Sequence, residues 1–113
     1  MAEHWAEQNF EIFSGDTKTI VVDVVEGSGN PINLAGASLL EWVLKRAPGA
    51  KLPLIRKVID SGITVTDASV GRFEIFLDAQ DTEKLGGTYY HECDLIDALG
   101  NRSTIFHGYV VIK

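Results

Sequence analysis

The feature that most constrains this chain is a two-residue alternation of branched and aromatic side chains, broken by turn residues about every ten positions. Ile20, Val22 and Val24 alternate with Thr19, Val21 and Asp23. Leu40, Trp42 and Leu44 alternate with Leu39, Glu41, Val43 and Lys45, and Phe73, Ile75 and Leu77 with Arg72, Glu74 and Phe76. A period of two puts each named set on one face of a strand, so the first set of each should meet a core. The breaks are Ser14-Gly15-Asp16, Gly27-Ser28-Gly29-Asn30-Pro31, Pro48-Gly49, Asp60-Ser61-Gly62 and Ala98-Leu99-Gly100-Asn101. Such clusters supply the positive φ angles and fixed proline φ that turns need.

These runs predict strands at Asn9 to Phe13, Thr17 to Val25, Ser38 to Arg46, Leu54 to Ile59, Ile63 to Thr66, Val70 to Leu77, Thr88 to Asp97 and Arg102 to Ile112, with a brief edge segment at Ile32 to Leu34. The one helical signal is a corner over residues 79–85, capped by Asp78 and stopped by Gly86-Gly87. Short strands, glycine turns and one small helix predict an all-β, immunoglobulin-like sandwich of about seven antiparallel strands. With 113 residues, the chain suits one domain, expected over residues 9–113 behind a flexible arm of residues 1–8. A four-residue loop in the last hairpin sets Asp97 opposite Arg102 and Glu92 opposite His107, with His91 and Cys93 on the other face. Trp42, Phe73, Tyr89 and Cys93 are the expected core. Tyr89 follows Gly87 as the tyrosine of an immunoglobulin corner does, although Cys93 lies four residues beyond it and has no partner cysteine.

No catalytic set can be assembled. His91 and Cys93 share a face about 7 Å apart along a strand, too far for a direct hydrogen bond. His4 falls in the arm, and the nucleophile-elbow, Walker and dinucleotide glycine patterns are absent. One cysteine and three histidines make no structural zinc set. Asp60, Asp67, Asp78, Asp81 and Asp97 stand in turns without the alternating spacing of a calcium loop, and turn formation accounts for them. The chain is therefore read as a non-enzyme with no metal and no cofactor.

Charge is uneven. The net charge is −6, which disfavours a phosphate-tracking nucleic-acid binder. Lys45, Arg46, Lys51, Arg56 and Lys57 nevertheless fall in one span without an acid, and the rest of the chain sets five basic residues against all 16 acidic ones. That span is either the solvated tip of a hairpin or a docking surface for an acidic neighbour, a second copy included. The alternative binding surface is a glycan platform of Trp5, Tyr90 and Tyr109, with Tyr90 and Tyr109 as neighbours in the last hairpin. No apolar run has the length of a membrane span, and MAEHWAEQNF lacks the basic start and apolar stretch of a secretory signal.

Across Phe10 to Lys113 the chain resembles the N-terminal immunoglobulin-like domain of phage baseplate upper proteins and related tail accessory proteins. The resemblance rests on Phe13-Ser-Gly-Asp-Thr17, Asn33-Leu-Ala-Gly-Ala37, Asp60-Ser-Gly-Ile-Thr-Val-Thr66, Gly71-Arg-Phe73, Leu77-Asp-Ala-Gln-Asp-Thr82, Gly87-Thr-Tyr-Tyr90 and Asp97-Ala-Leu-Gly-Asn101, in that order. It implies a scaffold or adaptor of a phage or prophage tail, located in the virion and in the bacterial cytoplasm before assembly. Its partners would be other phage structural proteins or copies of itself, in a ring or other homo-oligomer. The chain stops where the domain stops, with no coiled coil or receptor-binding head after it, which sets it apart from the fibre-anchored members and leaves two readings open, a stand-alone accessory subunit or a fragment.

Overall fold

The structure is a computed structural model describing residues 6–7, 9–25 and 29–113, and the side chains of 9–25, 29–35 and 39–113. Among the described residues nine strands form: β1 (Ala6–Glu7), β2 (Phe10–Ile12), β3 (Lys18–Asp23), β4 (Ala37–Lys45), β5 (Ile55–Ile59), β6 (Gly62–Asp67), β7 (Arg72–Leu77), β8 (Gly87–Asp97) and β9 (Arg102–Ile112). The one α-helix among them, α1, is a single turn at Ala79–Thr82. The fold class is all-β as the alternation requires, with the helical corner in its expected place but shorter. Most of the arm expected at residues 1–8 lies outside the described residues; Ala6–Glu7 run beside β9.

The strands follow one hydrogen-bonded path, β1-β9-β8-β4-β5-β6-β7-β3, with β2 also on β9. Laid flat, that path would be about 34 Å wide and one layer thick. The molecule measures 37 × 26 × 24 Å, and β8 and β9, at 11 residues each, account for the long axis. The path is therefore folded over into two layers. The fold line is Asp60-Ser61, where Asp60 takes a φ of 69° and β5 and β6 touch through only two residue pairs. One layer is β2/β1-β9-β8-β4-β5 and the other is β6-β7-β3.

Side chains from both layers meet in one apolar cluster. Ile12, Leu40, Trp42, Leu44, Tyr89, Cys93, Phe106, Val110 and Ile112 come from the first, and Val24, Ile63, Phe73, Ile75 and Leu77 from the second. Trp42, Phe73 and Cys93 are wholly enclosed and Tyr89 nearly so. The Tyr89 hydroxyl closes the corner into β8: it donates to the Gly86 carbonyl and accepts from the Gly86 N–H, each at 3.0 Å. The corner before it is held by a reciprocal cap, with Asp78 accepting from the Asp81 N–H and Asp81 from the Asp78 N–H. Ser14 and Gly15 tie the β2–β3 turn to the same corner through Thr82.

Four expectations are corrected. Among the described residues the strands number nine, not about seven. They are not all antiparallel: β1 and β2 lie parallel to β9, and β5 to β6. The chain crosses between layers after β2, so β2 takes the free edge of β9 and does not hairpin with β3. Ile32 to Leu34 form no strand, because Pro31 has no N–H to donate and makes only an isolated bridge to Val25. The Asn33 side chain then accepts from the Ala35 N–H and turns the chain into a 3-10 turn at Leu34–Gly36. Finally, Asp97 does not face Arg102. A bulge between Cys93 and Asp94 shifts the register, so Arg102 pairs with Ile96 while Glu92 still faces His107.

Candidate interaction surfaces

The bulge frees Asp97 to organise its own loop. Its carboxylate accepts from the Leu99 and Asn101 N–H groups and from the Asn101 amide. The Asn101 backbone bond is the first of several that hold this carboxyl below its usual pKa. Arg102 reaches instead to Asp94 at 2.7 Å and Glu41 at 3.1 Å, and Arg56 grips the other oxygen of Glu41. Burial works to raise the Glu41 pKa, but the hydrogen bonds from Arg56 and Arg102 outweigh it and hold the carboxyl below its ordinary value.

The predicted basic span does not act as one surface. Arg56 belongs to the Glu41 network. Lys57 lies over Gly62 and pairs with Asp81 at 2.8 Å, largely withdrawn from water, which fastens the α1 corner to β5. Lys45 is half-buried opposite Tyr90. Arg46 and Lys51 stand in solvent at the tip of the β4–β5 connection, and Arg56, though also exposed, is held by Glu41. Beside them Leu52 is 83% exposed and Leu54 38% exposed, an apolar element that the charge pattern alone did not single out.

The predicted glycan platform is not flat. Tyr90 and Tyr109 are cross-strand partners with ring centroids 6.0 Å apart, but edge to face. Tyr90 is buried and donates its hydroxyl to Glu92 at 2.9 Å; burial, then the bond to Glu92, pushes its pKa up to about 12. Tyr109 alone of the pair offers an open ring, and Trp5 lies outside the described residues.

Glu92 and Asp94 stand two apart on the same face of β8. Asp94 Oδ1 is buried with no hydrogen-bond partner among the described residues. Burial raises the Glu92 pKa, the Asp94 carboxylate raises it further, and the Tyr90 hydroxyl only partly offsets this. A proton on Glu92 relieves the repulsion between these two carboxylates. Because the folded state holds that proton more tightly, Glu92 stabilises fully below its unfolded pKa and loses that contribution as pH rises through the folded value. Glu92→Gln should therefore raise the melting temperature at about pH 8 and change it little at about pH 4. The gain should be a few tenths of a kcal/mol, since the group is only half withdrawn from water. Equal shifts at both pH values in thermal melts would contradict this assignment.

The chemistry-bearing residues are engaged structurally. His91 is buried and accepts the Trp42 indole N–H at 3.0 Å, packed against Phe10 and Phe106. Burial, then the nearby Asp94, drives the Cys93 thiol pKa up, away from a reactive thiolate. Asp78 and Asp81 cap α1, Asp67 accepts from Ser69, and Asp97 holds its turn. Among the described residues no three His, Cys, Asp or Glu converge as metal ligands, and no helix is long and apolar enough to cross a membrane.

A cleft of about 360 Å³ runs beneath β3, lined by that strand, by Val24 and Val25 after it, and by Asn9, Phe10, His91, Ile105 and Phe106. Ile20 and Val22 point into it and are only half-buried. Nothing in the alternation marked this opening, because these residues carry the same inward pattern as fully enclosed ones.

No family model matches the chain, and no curated protein does. Among solved structures, the chain is similar to the major subunit of aggregative adherence fimbriae type I from Escherichia coli, at 13% identity over 93% of this chain and 89% of that one, with a TM-score of 0.37.

Proposed function

We propose that this domain is a non-enzymatic structural module that assembles through protein–protein contacts as a component of a phage or prophage tail or baseplate. The observation that carries the assembly role is the tip of the β4–β5 connection. Leu52 stands 83% exposed beside the exposed cations Arg46 and Lys51, which form no ion pair among the described residues, on a molecule whose remaining charge is strongly acidic. An apolar side chain rimmed by cations suits an acidic protein surface, where charge steers the encounter and leucine burial holds it. A second copy of the chain provides such a surface, and a head-to-tail contact of this kind builds rings or tubes.

The tail reading rests on the order and spacing of the turn motifs that resemble baseplate domains. On that reading the protein works in the virion and passes through the bacterial cytoplasm before assembly. Reading the genes that flank its coding sequence tests this; a neighbourhood without tail-assembly genes would remove the attribution.

The tip is tested by reversing its free cations. Arg46→Glu with Lys51→Glu should weaken self-association about tenfold at low ionic strength and little at about 0.5 M salt. Both residues are exposed, so the fold should be untouched. Sedimentation velocity that does not change in the double variant at low salt would refute the tip as a contact.

A further inference from the structure

In the constant-type immunoglobulin arrangement the first strand stands beside the second, covering its edge. Here both N-terminal strands have gone to β9 in the other layer. Among the described residues β3 is paired on one side only, to β7. The Val24 N–H donates to Gly71 on the β7 side. Backbone groups alternate sides along a strand, so those of Thr19, Val21 and Asp23 point to the open side.

This edge lacks the devices that usually guard one. Its register with β7 runs without a bulge from Lys18↔Leu77 to Asp23↔Arg72. It contains no proline, and its one inward charge, Lys18, stands at its end over the Phe10 ring. Its outer face is apolar at the centre, where Val21 is 57% exposed and Phe76, diagonal to it on β7, is 46% exposed.

We propose that β3 is a pairing edge for a second copy of this chain, which adds its own β3 in antiparallel register about a two-fold axis through Val21. The strand is complementary to itself in that register. Val21 meets Val21 of the other copy, Ile20 meets Val22, and Thr19 sets its hydroxyl against the Asp23 carboxylate. No like charges stand opposite each other. The open-side backbone groups fall in hydrogen-bonded pairs, Val21 with Val21 and Thr19 with Asp23, because it is the odd-numbered residues that face outward. The two Val21 and two Phe76 side chains would then lie in one strip on a joined six-stranded layer. This pairing deepens the assembly reading but does not use the tip, and it differs from a tip contact in resisting salt.

The experiment is done on the full chain at about 0.5 M salt, where the tip contact is screened. A residue on the axis meets itself, so Val21→Lys and Val21→Glu should each weaken self-association about tenfold or more, while an equimolar mixture of the two should restore it. Circular dichroism checks that both variants fold. In the unmodified protein, amide exchange at Thr19, Val21 and Asp23 should slow as concentration rises, whereas Ile20 and Val22 should be protected at every concentration. Restored association with concentration-dependent protection supports the pairing. A mixture that stays monomeric, or amides at 19, 21 and 23 that exchange at one rate at all concentrations, overturns it and leaves the tip contact standing. Protection that appears only on adding another protein would equally overturn a second copy as the occupant.

Discussion

Trp42→Ala is expected to cost the domain about 3–5 kcal/mol, enough to remove a large share of a small domain's stability. The indole is wholly enclosed at the centre of β4, between Leu40 and Leu44 along the strand and opposite Cys93 on β8. Truncation leaves a cavity that close-packed neighbours can only partly fill. It also removes the N–H that His91 accepts at 3.0 Å. Trp42→Phe separates the two effects: it keeps most of the ring volume and loses the donor, so it should cost about 1–3 kcal/mol, the range for a buried group deprived of its partner. Urea unfolding of the two variants measures the difference. If Trp42→Phe were as damaging as Trp42→Ala, cavity formation would not be the main cause.

Gly71→Ala is the second large effect, with an expected loss of about 3 kcal/mol or more. Gly71 has a φ of +74°, and an added Cβ would lie 2.6 Å from the Val24 carbonyl oxygen and 2.7 Å from that of Ile32. Neither oxygen can swing aside as a side chain would. Both belong to the backbone junction where Val24 donates to Gly71 and accepts from Ile32. The loss should appear with loosening of the end of β3, visible as faster amide exchange at Val24. Gly15→Ala is the matched control: its φ is +86°, but nothing lies within 4 Å of an added Cβ. It should cost only the conformational penalty of about 1–2 kcal/mol. Equal losses in the two variants would show that crowding at Gly71 plays no part.

The same two positions show what kind of information a sequence carries. Trp42 could be placed in the core from its neighbours alone, since Leu40 and Leu44 share its face in any strand. Gly71 could not be ranked above Gly15, because the oxygens that crowd it belong to Val24 and Ile32, 47 and 39 positions earlier in the chain, and meet it only once the intervening strands have folded back. The basic span divides in the same way. Its charge was plain in the sequence, but Lys57 is claimed by Asp81 and Arg56 by Glu41 through folding, which leaves Arg46 and Lys51 with a leucine that composition did not mark.

Local rules therefore determined the positions of β2 to β9, the inward faces of β3, β4 and β7, the Asp78 cap and the Tyr89 corner. Each depends on side chains within a few residues of one another, where a period of two or a capping distance suffices. Tertiary structure alone decided that β1 and β2 join β9, that the path folds over at Asp60, that a bulge at Ile105, opposite Cys93 and Asp94, sends Arg102 to Asp94, and that among the described residues β3 keeps an open edge over a cleft. Those outcomes are choices among partners distant in sequence, and backbone hydrogen bonds, being the same for every residue, carry no local mark of which strand will accept them.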